Sequence, residues 1–385
     1  MMMDFDLSNP TRIVFGQGRI DDLGKLVPRS ARVLLLFGGG SIKHNGVYDR
    51  VMTGLGDRFV LPFGGVEANP QYDTVMAARA ALIEADCTFV LGVGGGSVID
   101  ASKFLARIAT MAAMDPWDAL VAGDHPPAPL PNGAVLTLPA TGSESNAVSV
   151  ISRADYGLKL PFASDGARPA FAVLDPDTMK SLSRRQLENG VVDAFTHVIE
   201  QYLTLPVDAP VQHGYSETLL RTLIDWGPVL IETSSDESRA AIMWAANQAL
   251  NGLIGSGVPQ DWSTHMIGHA LTALYGIDHA RTLSAVMPSL LRFKSAGKLA
   301  MLVRYGRKVW QLDHADDQVV AAQAIDRTAA FFKQMNCPTK LSDFTDIAVE
   351  PEAVVSLIAR AGQFPLGESR DIGAREVRAI LEMAR

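Results

Sequence analysis

Cysteine is scarce: Cys87 and Cys337 are the only two in 385 residues. Two cysteines make no disulfide framework, and they indicate a reduced, cytoplasmic protein. Neither lies near a histidine in sequence, so both read as structural. Long hydrophobic runs are missing as well. Stretches such as VLLLF at Val33–Phe37 fall far short of the ~20 apolar residues that span a bilayer. The opening MMMDFDLSNP has neither the positive nor the apolar region of a signal peptide. Positive charge is in the minority, with 34 Lys and Arg against 42 Asp and Glu, a net charge of −8. There is no basic cluster, which excludes nucleic acid as a partner. With 48% hydrophobic and 20% charged residues, the composition is that of a soluble globular enzyme. The length suffices for a large core, usually in two domains.

The pattern changes partway along the chain. Val33–Phe37, Phe59–Leu61, Phe89–Val93, Ala134–Leu138 and Phe171–Leu174 are apolar runs bounded by glycine or proline. Helical patterns at Gln71–Ala85 and Val98–Ala113 alternate with them, as in βαβ units of a parallel sheet. The proline-rich stretch from His125 to Gly133 reads as a surface loop. After Asp175 and Pro176 strand signals stop. Arg184–Leu203, Glu217–Ile231, Glu237–Ile254, Thr264–Tyr275, Thr282–Ala296 and Asp316–Met335 show a helical period. The expected organisation is an α/β domain over residues 1–178 and an all-α domain over 179–385.

Half of the eight histidines lie in three short motifs of the helical part. Asp193 and His197 sit four apart in GVVDAFTHVIEQY, and His265 and His269 sit four apart in DWSTHMIGHALT. His279 follows in GIDHA. On a helix each pair shares one face, with Cβ atoms about 6 Å apart. Carboxylate and imidazole together suit a borderline divalent cation such as Zn²⁺ or Fe²⁺. A lone histidine is more often a surface or core residue, so His44, His125, His213 and His314 are set aside. Spacing does not say which three histidines would bind, and by itself it favours His265 with His269.

Two GGGS turns follow strands: Gly38-Gly39-Gly40-Ser41 and Gly94-Gly95-Gly96-Ser97. Glycine lets backbone N–H groups approach a phosphate, and a helix N-terminus favours negative charge. The second turn leads into SVIDASKF, a good helix start. It departs from the dinucleotide fingerprint, with Ser97 in the third glycine place and no following acidic residue. Two tight strand-to-helix turns with no ligand are an equal reading. The hydroxyl-rich loop LTLPATGSESN, with Thr137, Thr141, Ser143 and Ser145, also follows a strand, where loops line sites; a helix-capping loop would look the same.

GGGSVIDASK, LPATGSESN, DPDTMKSLSRRQLENGVVDAFTHVIEQY and the HMIGH…DHA set together resemble the iron-containing (group III, metal-dependent) alcohol dehydrogenases. Within that family the chain is most similar to the butanol dehydrogenase and NADPH-dependent aldehyde reductase branch. NPTRIVFGQG and LNGLIGSGVPQDW belong to the same pattern, which runs from about Phe5 to Arg385. The resemblance implies the fold shared with dehydroquinate synthase: an α/β dinucleotide-binding domain with a parallel sheet, then an all-α metal-binding domain. It puts the metal, Fe²⁺ or Zn²⁺, on Asp193, His197, His265 and His279. His269 falls where the family has a histidine near the nicotinamide, so the resemblance overrules the preference from spacing.

The resemblance also assigns the dinucleotide site. Gly94, Gly95, Gly96 and Ser97 match the pyrophosphate turn, and Asp100 and Lys103 complete its GGGSxxDxxK pattern. Asn69, Thr137, Leu138, Thr141, Ser143, Asn146, Lys159 and Thr178 fall where cofactor contacts occur. Gly38, Gly39, Gly40 and Ser41 align with the turn at the adenosine ribose. Many NAD-preferring members carry an aspartate where this chain has Gly39, so no carboxylate there repels a 2′-phosphate. NADP(H) is therefore expected rather than NAD(H). Two departures stand out. His279 lies in IDHA rather than a proline-His-Gly motif, and Ala270 replaces a glutamate after His269.

The resulting expectation is a cytoplasmic, homodimeric NADP-dependent alcohol dehydrogenase acting on short- to medium-chain aldehydes or primary alcohols, with no membrane partner. The metal polarises the carbonyl, the nicotinamide gives a hydride, and His269 relays the proton near neutral pH. Two other classes stay open. A lyase resembling dehydroquinate synthase would need cations for an anionic substrate, and the segment around the ligands offers only Arg281. A metal- and nucleotide-binding protein without turnover is the other.

Overall fold

A computed structural model describes residues 3–112, 115–123 and 129–385. Part of the proline-rich stretch at His125 to Gly133, and Ala113 at the end of an expected helix, lie outside the described residues. The chain divides into two compact units. One is Ser8–Leu182. The other takes in Ser183–Arg385 together with the N-terminal stretch up to Leu7, where the Met3 amide donates to Gly257 O at 3.1 Å.

The first unit runs β1 (Arg12–Phe15), α1 (Leu23–Leu26), β2 (Val33–Phe37), α2 (Val47–Leu55), β3 (Val60–Phe63), α3 (Tyr72–Glu84), β4 (Phe89–Gly95), α4 (Gly96–Ile108), α5 (Pro116–Val121), β5 (Asn132–Leu138), β6 (Val148–Arg153), β7 (Leu158–Ala163) and β8 (Phe171–Leu174). Six strands form a parallel sheet in the order β1-β8-β5-β4-β2-β3. Its continuous apolar strands follow from cover on both faces. Along β2, Leu34 and Leu36 enter one core with Val75, Phe104 and Leu105 of α3 and α4. Val33, Leu35 and Phe37 alternate into the other, with Leu23, Val51 and Leu55 of α1 and α2. Each fully buried Leu or Phe contributes roughly 1.5–3 kcal/mol relative to an exposed one.

The hairpin β6–β7 is antiparallel and was outside the expected elements. Its alternating burial is a period-2 pattern, interrupted by too many polar residues to stand out beside the solidly apolar sheet strands.

The second unit runs α6 (Arg184–Tyr202), α7 (Pro210–Thr233), α8 (Asp236–Ala249), α9 (Ser263–Tyr275), α10 (His279–Phe293), α11 (Leu299–Lys308), α12 (Asp317–Gln334), α13 (Pro351–Arg360) and α14 (Ala374–Met383). α6 opens on a capping box in which Ser183 and Gln186 satisfy each other's backbone donors, as the Ser-x-x-Gln spacing requires. α7 begins well before the expected Glu217, because Pro210 is well suited to a helix's first turn. α8 stops at Ala249 rather than Ile254: Gly252 and Gly257 adopt left-handed φ of 102° and 69° in the irregular segment that follows. α11, α13 and α14 are additional to the helices read from the sequence. No helix among the described residues is long and apolar enough to cross a membrane. Both cysteines are buried and free, and burial pushes the Cys337 thiol up to about 12.

Candidate metal centre and nucleotide turns

α6 carries the first two candidate donors. Its rotation is fixed by Phe195, which packs at ring-centre distances of 5.1 Å from Phe331 and 5.6 Å from Phe332. Asp193 and His197 lie on a different face of the same helix, and both are buried. α9 supplies His265 and His269. α10 begins at His279, one residue after Asp278.

These elements converge on one oxygen. Asp193 Oδ1 lies 3.7 Å from His197 Nδ1, 3.9 Å from His265 Nε2 and 3.7 Å from His279 Nε2. A tetrahedral ion with bonds of about 2.1 Å separates its ligand atoms by roughly 3.4 Å. The three distances to the carboxylate oxygen lie within about half an ångström of that value. Asp193, His197 and His265 form a tighter subset, with ligand atoms all within 4.8 Å of one another. One carboxylate with imidazoles fits Fe²⁺ or Zn²⁺, not the all-oxygen shells of Mg²⁺ or Ca²⁺. His269 stands to one side. Its ring centre is 5.0 Å from that of His279 and 6.1 Å from that of His265. Gly268 sets this spacing: a Cβ there would lie 2.8 Å from Leu283 and 2.9 Å from Thr282. α9 can thus press directly onto α10. Ala270 is buried.

Residues behind the donors hold them, and several escaped the sequence reading. Glu200 Oε2 meets His265 Nδ1 in a short hydrogen bond. That contact engages Nδ1 and turns Nε2 toward Asp193, the usual carboxylate–histidine pairing of metal sites. Glu200 Oε1 also accepts from the Thr264 amide at 2.6 Å. Burial and the nearby Asp261 carboxylate push Glu200 well above the usual carboxylate range; a divalent cation on the far side of the ring works in the opposite sense. The signal was available, because Asp193, His197 and Glu200 are i, i+4 and i+7 on one helix face. Trp262 precedes α9 at φ 64°, a left-handed conformation that costs about 1–3 kcal/mol for a bulky residue. Its ring stands against His265 at 5.3 Å and His197 at 6.1 Å. Asp278 anchors the entry to His279 by accepting from Arg185 at 2.7 Å and Asn189 at 2.9 Å on α6. Despite its partial burial, those bonds keep its carboxyl below the usual range.

In the α/β unit, the Gly38–Ser41 turn, the Gly94–Ser97 turn and the Thr137–Asn146 loop lie at the ends of β2, β4 and β5. These strands are neighbours and parallel, so all three segments share the carboxyl edge of the sheet, where such folds bind ligands. Gly96 is the first residue of α4, and no side chain caps that end. Its first amides are thus open to an anion. A Cβ on Gly94 would lie 2.6 Å from Val98, and one on Gly96 would overlap Thr141. The first turn differs. Gly40 has φ 99° and a 3₁₀ turn, Ser41–Lys43, follows it. Gly39 is exposed, with open space around any added Cβ.

Several assigned side chains are engaged inside the protein. Asp100 accepts from the Val150 amide at 3.0 Å and from Ser143. Lys103 is fully buried and donates to Asn146 Oδ1 at 2.9 Å. Burial lowers its ammonium to about 8, against the pull of Asp100. Thr178 donates to the backbone. These groups shape the loop. Thr137, Leu138 and Thr141 remain partly exposed. Lys159 Nζ donates to Asn69 Oδ1 at 2.9 Å, while Ser97 donates to the Ala68 carbonyl.

Comparison with known proteins gives concordant matches. Residues 10–176 match the family described as iron-containing alcohol dehydrogenase, and residues 188–385 match its C-terminal domain. The chain is 48% identical to the NADPH-dependent aldehyde reductase YqhD of Escherichia coli (strain K12), covering 100% of both chains. It is 35% identical to NADH-dependent butanol dehydrogenase A of Clostridium acetobutylicum, over 99% of each. The crystal structure of E. coli K-12 YqhD superposes with a TM-score of 0.97 at 47% identity, covering 100% of this chain and 99% of that one. That of a butanol dehydrogenase from Thermotoga maritima gives 0.93 at 32% identity, with the same coverage.

Proposed function

The chain belongs to the iron-containing alcohol dehydrogenase family, and from that premise we propose that it is a metal- and NADP(H)-dependent aldehyde reductase. Its substrates in this reading are short- to medium-chain aldehydes and the corresponding primary alcohols. The observation that carries the proposal is the approach of three imidazoles to Asp193 Oδ1 at 3.7–3.9 Å.

We assign the cation to Asp193, His197, His265 and His279. The pyrophosphate belongs to the backbone amides of Gly94, Gly95, Gly96 and Ser97, and the adenosine ribose to Gly38, Gly39, Gly40 and Ser41. Asn69, Asp100, Thr137, Leu138, Thr141, Ser143, Asn146, Lys159 and Thr178 complete that site as contacts or as the frame of its loops. When bound, the cation supplies Lewis-acid polarisation of the substrate oxygen and the nicotinamide supplies the hydride. Glu200 holds the proton on His265 Nδ1, which leaves Nε2 as the donor atom. Gly268 and Asp278 set the positions of the imidazoles of α9 and α10. His269 is assigned the proton that the product oxygen takes, since an imidazole exchanges protons near neutral pH.

The NADP(H) preference rests on Gly39, which leaves open space where a carboxylate would meet a 2′-phosphate. The relative at 48% identity is named for NADPH, although the one at 35% is named for NADH. A lyase acting on a phosphorylated substrate fits poorly, because Arg281 already faces Glu188 at 3.5 Å and Asp278 at 3.8 Å. We take the working form to be a homodimer in the cytoplasm, which light scattering on the purified protein checks for assembly. The decisive assay is the loss of NADPH absorbance with butanal, on protein purified without chelator and analysed for metal. Bound Fe or Zn with turnover supports the reading. Metal and nucleotide binding without turnover on any simple aldehyde overturns it in favour of a non-catalytic protein.

A further inference from the structure

A buried ammonium lies at the junction of the two helices that carry most of the donors. Lys298, just before α11, is 2% exposed. Its Nζ donates to Leu203 O at 2.6 Å, to Glu368 Oε1 at 2.6 Å and to Asp261 Oδ2 at 2.9 Å. Three acceptors match the three N–H groups of an ammonium. Leu203 caps the C-terminal end of α6, where an unpaired carbonyl and the helix dipole both favour a cation. Asp261 lies two residues before the start of α9.

We propose that Lys298 is a positioning residue for the metal centre, fastening the end of α6 to the entry of α9 so that His265 stays at its working distance from Asp193. The connection to His265 is short and continuous. The Asp261 amide donates to Glu200 O at 2.9 Å, and Asp261 Oδ1 accepts from the Ser263 amide at 3.0 Å. Thr264 and His265 then both bond the Glu200 carboxylate. Glu200 holds the entry of α9 from within α6, and Lys298 adds the link from the Asp261 side chain to the last carbonyl of that helix, at Leu203. The left-handed Trp262 between them makes the entry to α9 strained, so the tether holds a segment that resists its own conformation. Stability alone is a weak reason for such a cluster. A buried ion pair contributes little compared with well-packed apolar residues of similar size. Its specific yield is a fixed geometry.

The inference rests on the metal-centre reading above, and the test separates the two. Metal-free full-length protein is titrated with Co²⁺ against a competing chelator. The dissociation constant, the visible spectrum of the Co²⁺ form and the thermal midpoint are recorded. Wild type, Lys298→Met and Thr328→Val are compared. Thr328 is a buried partner of Tyr305 at 2.7 Å and serves as a destabilised control. Lys298→Met is expected to weaken Co²⁺ binding at least about tenfold, the scale for residues behind the ligands, and to change the spectrum. Thr328→Val should lower the thermal midpoint and leave both metal readings unchanged. Wild-type affinity and spectrum in Lys298→Met overturn the proposal, as does an equal loss in Thr328→Val. Should Lys298→Met fail to fold, Glu368→Gln decides by the same two readings, since it removes one charge and keeps the lysine. A wild-type protein that binds no Co²⁺ sinks the metal centre itself rather than the tether.

Discussion

The two units build their candidate sites from different material. The α/β unit offers backbone: turn amides at strand ends, where glycines carry no Cβ to block a close approach. The helical unit offers side chains: a carboxylate and imidazoles brought together by α6, α9 and α10. The contrast predicts how each fails. A substitution in a glycine turn acts by steric overlap or added charge and should be read in nucleotide affinity. A substitution among the donors removes a bond and should be read in metal content. If the units are independent in this sense, each class of variant leaves the other reading alone.

The largest expected effect tests the helical side. His279→Ala should remove most bound metal and reduce turnover by at least roughly 10³-fold, more than loss of a residue behind the ligands. Circular dichroism and NADPH affinity should stay near wild type, because α10 is anchored by Asp278 and by buried Leu283, Val286 and Leu290. Full metal content in this variant, by elemental analysis, would remove His279 from the ligand set. A collapse of NADPH affinity would instead break the comparison between the units.

His269→Ala comes next. It should keep its metal and lose about 10²-fold in kcat, the scale for an acid–base group. Spacing alone pairs His269 with His265, and the two readings part here. Metal loss in His269→Ala, with His279→Ala fully loaded, would make His269 a ligand. Retained metal with near-normal kcat would make it a packing residue between α9 and α10.

Sequence legibility follows the same division. The parallel sheet was readable because strands covered on both faces are solid apolar runs, as at Val33–Phe37. α6 was readable from its helical period. The β6–β7 hairpin was not, since its alternation is broken by polar residues. The candidate donors stood out by residue type, and Asp193 with His197 and His265 with His269 by spacing; spacing alone favoured His269, and His279 entered the set only through the family resemblance. That choice depends on how α9 packs on α10 at Gly268, a tertiary contact. Lys298, Asp261 and Glu368 were invisible for a related reason. Charged residues far apart in sequence look like surface until the fold buries them together.

Glu200→Gln should have a smaller effect. It keeps the shape beside His265 but removes the charge that holds the Nδ1 proton. Metal affinity should fall about tenfold, measured against a chelator, with nucleotide binding unchanged. An unaltered affinity would mean that the short contact to His265 is packing and does not tune the donor.

The smallest effect sharpens the nucleotide side. Wild type should favour NADPH over NADH in kcat/KM by roughly tenfold, about 1.4 kcal/mol. Gly39→Asp should shift that ratio toward NADH, by giving the ribose 2′-hydroxyl an acceptor and repelling a 2′-phosphate. The fold should tolerate the change, because Gly39 is exposed and an added Cβ meets open space. Gly96→Ala provides the contrast. Its Cβ would overlap Thr141, so it should weaken both cofactors together and leave their ratio unchanged. Metal content should be at wild-type level in both variants. A ratio that stays fixed in Gly39→Asp, while Gly96→Ala weakens both cofactors, would keep the pyrophosphate at the second turn and move the adenosine ribose away from the first.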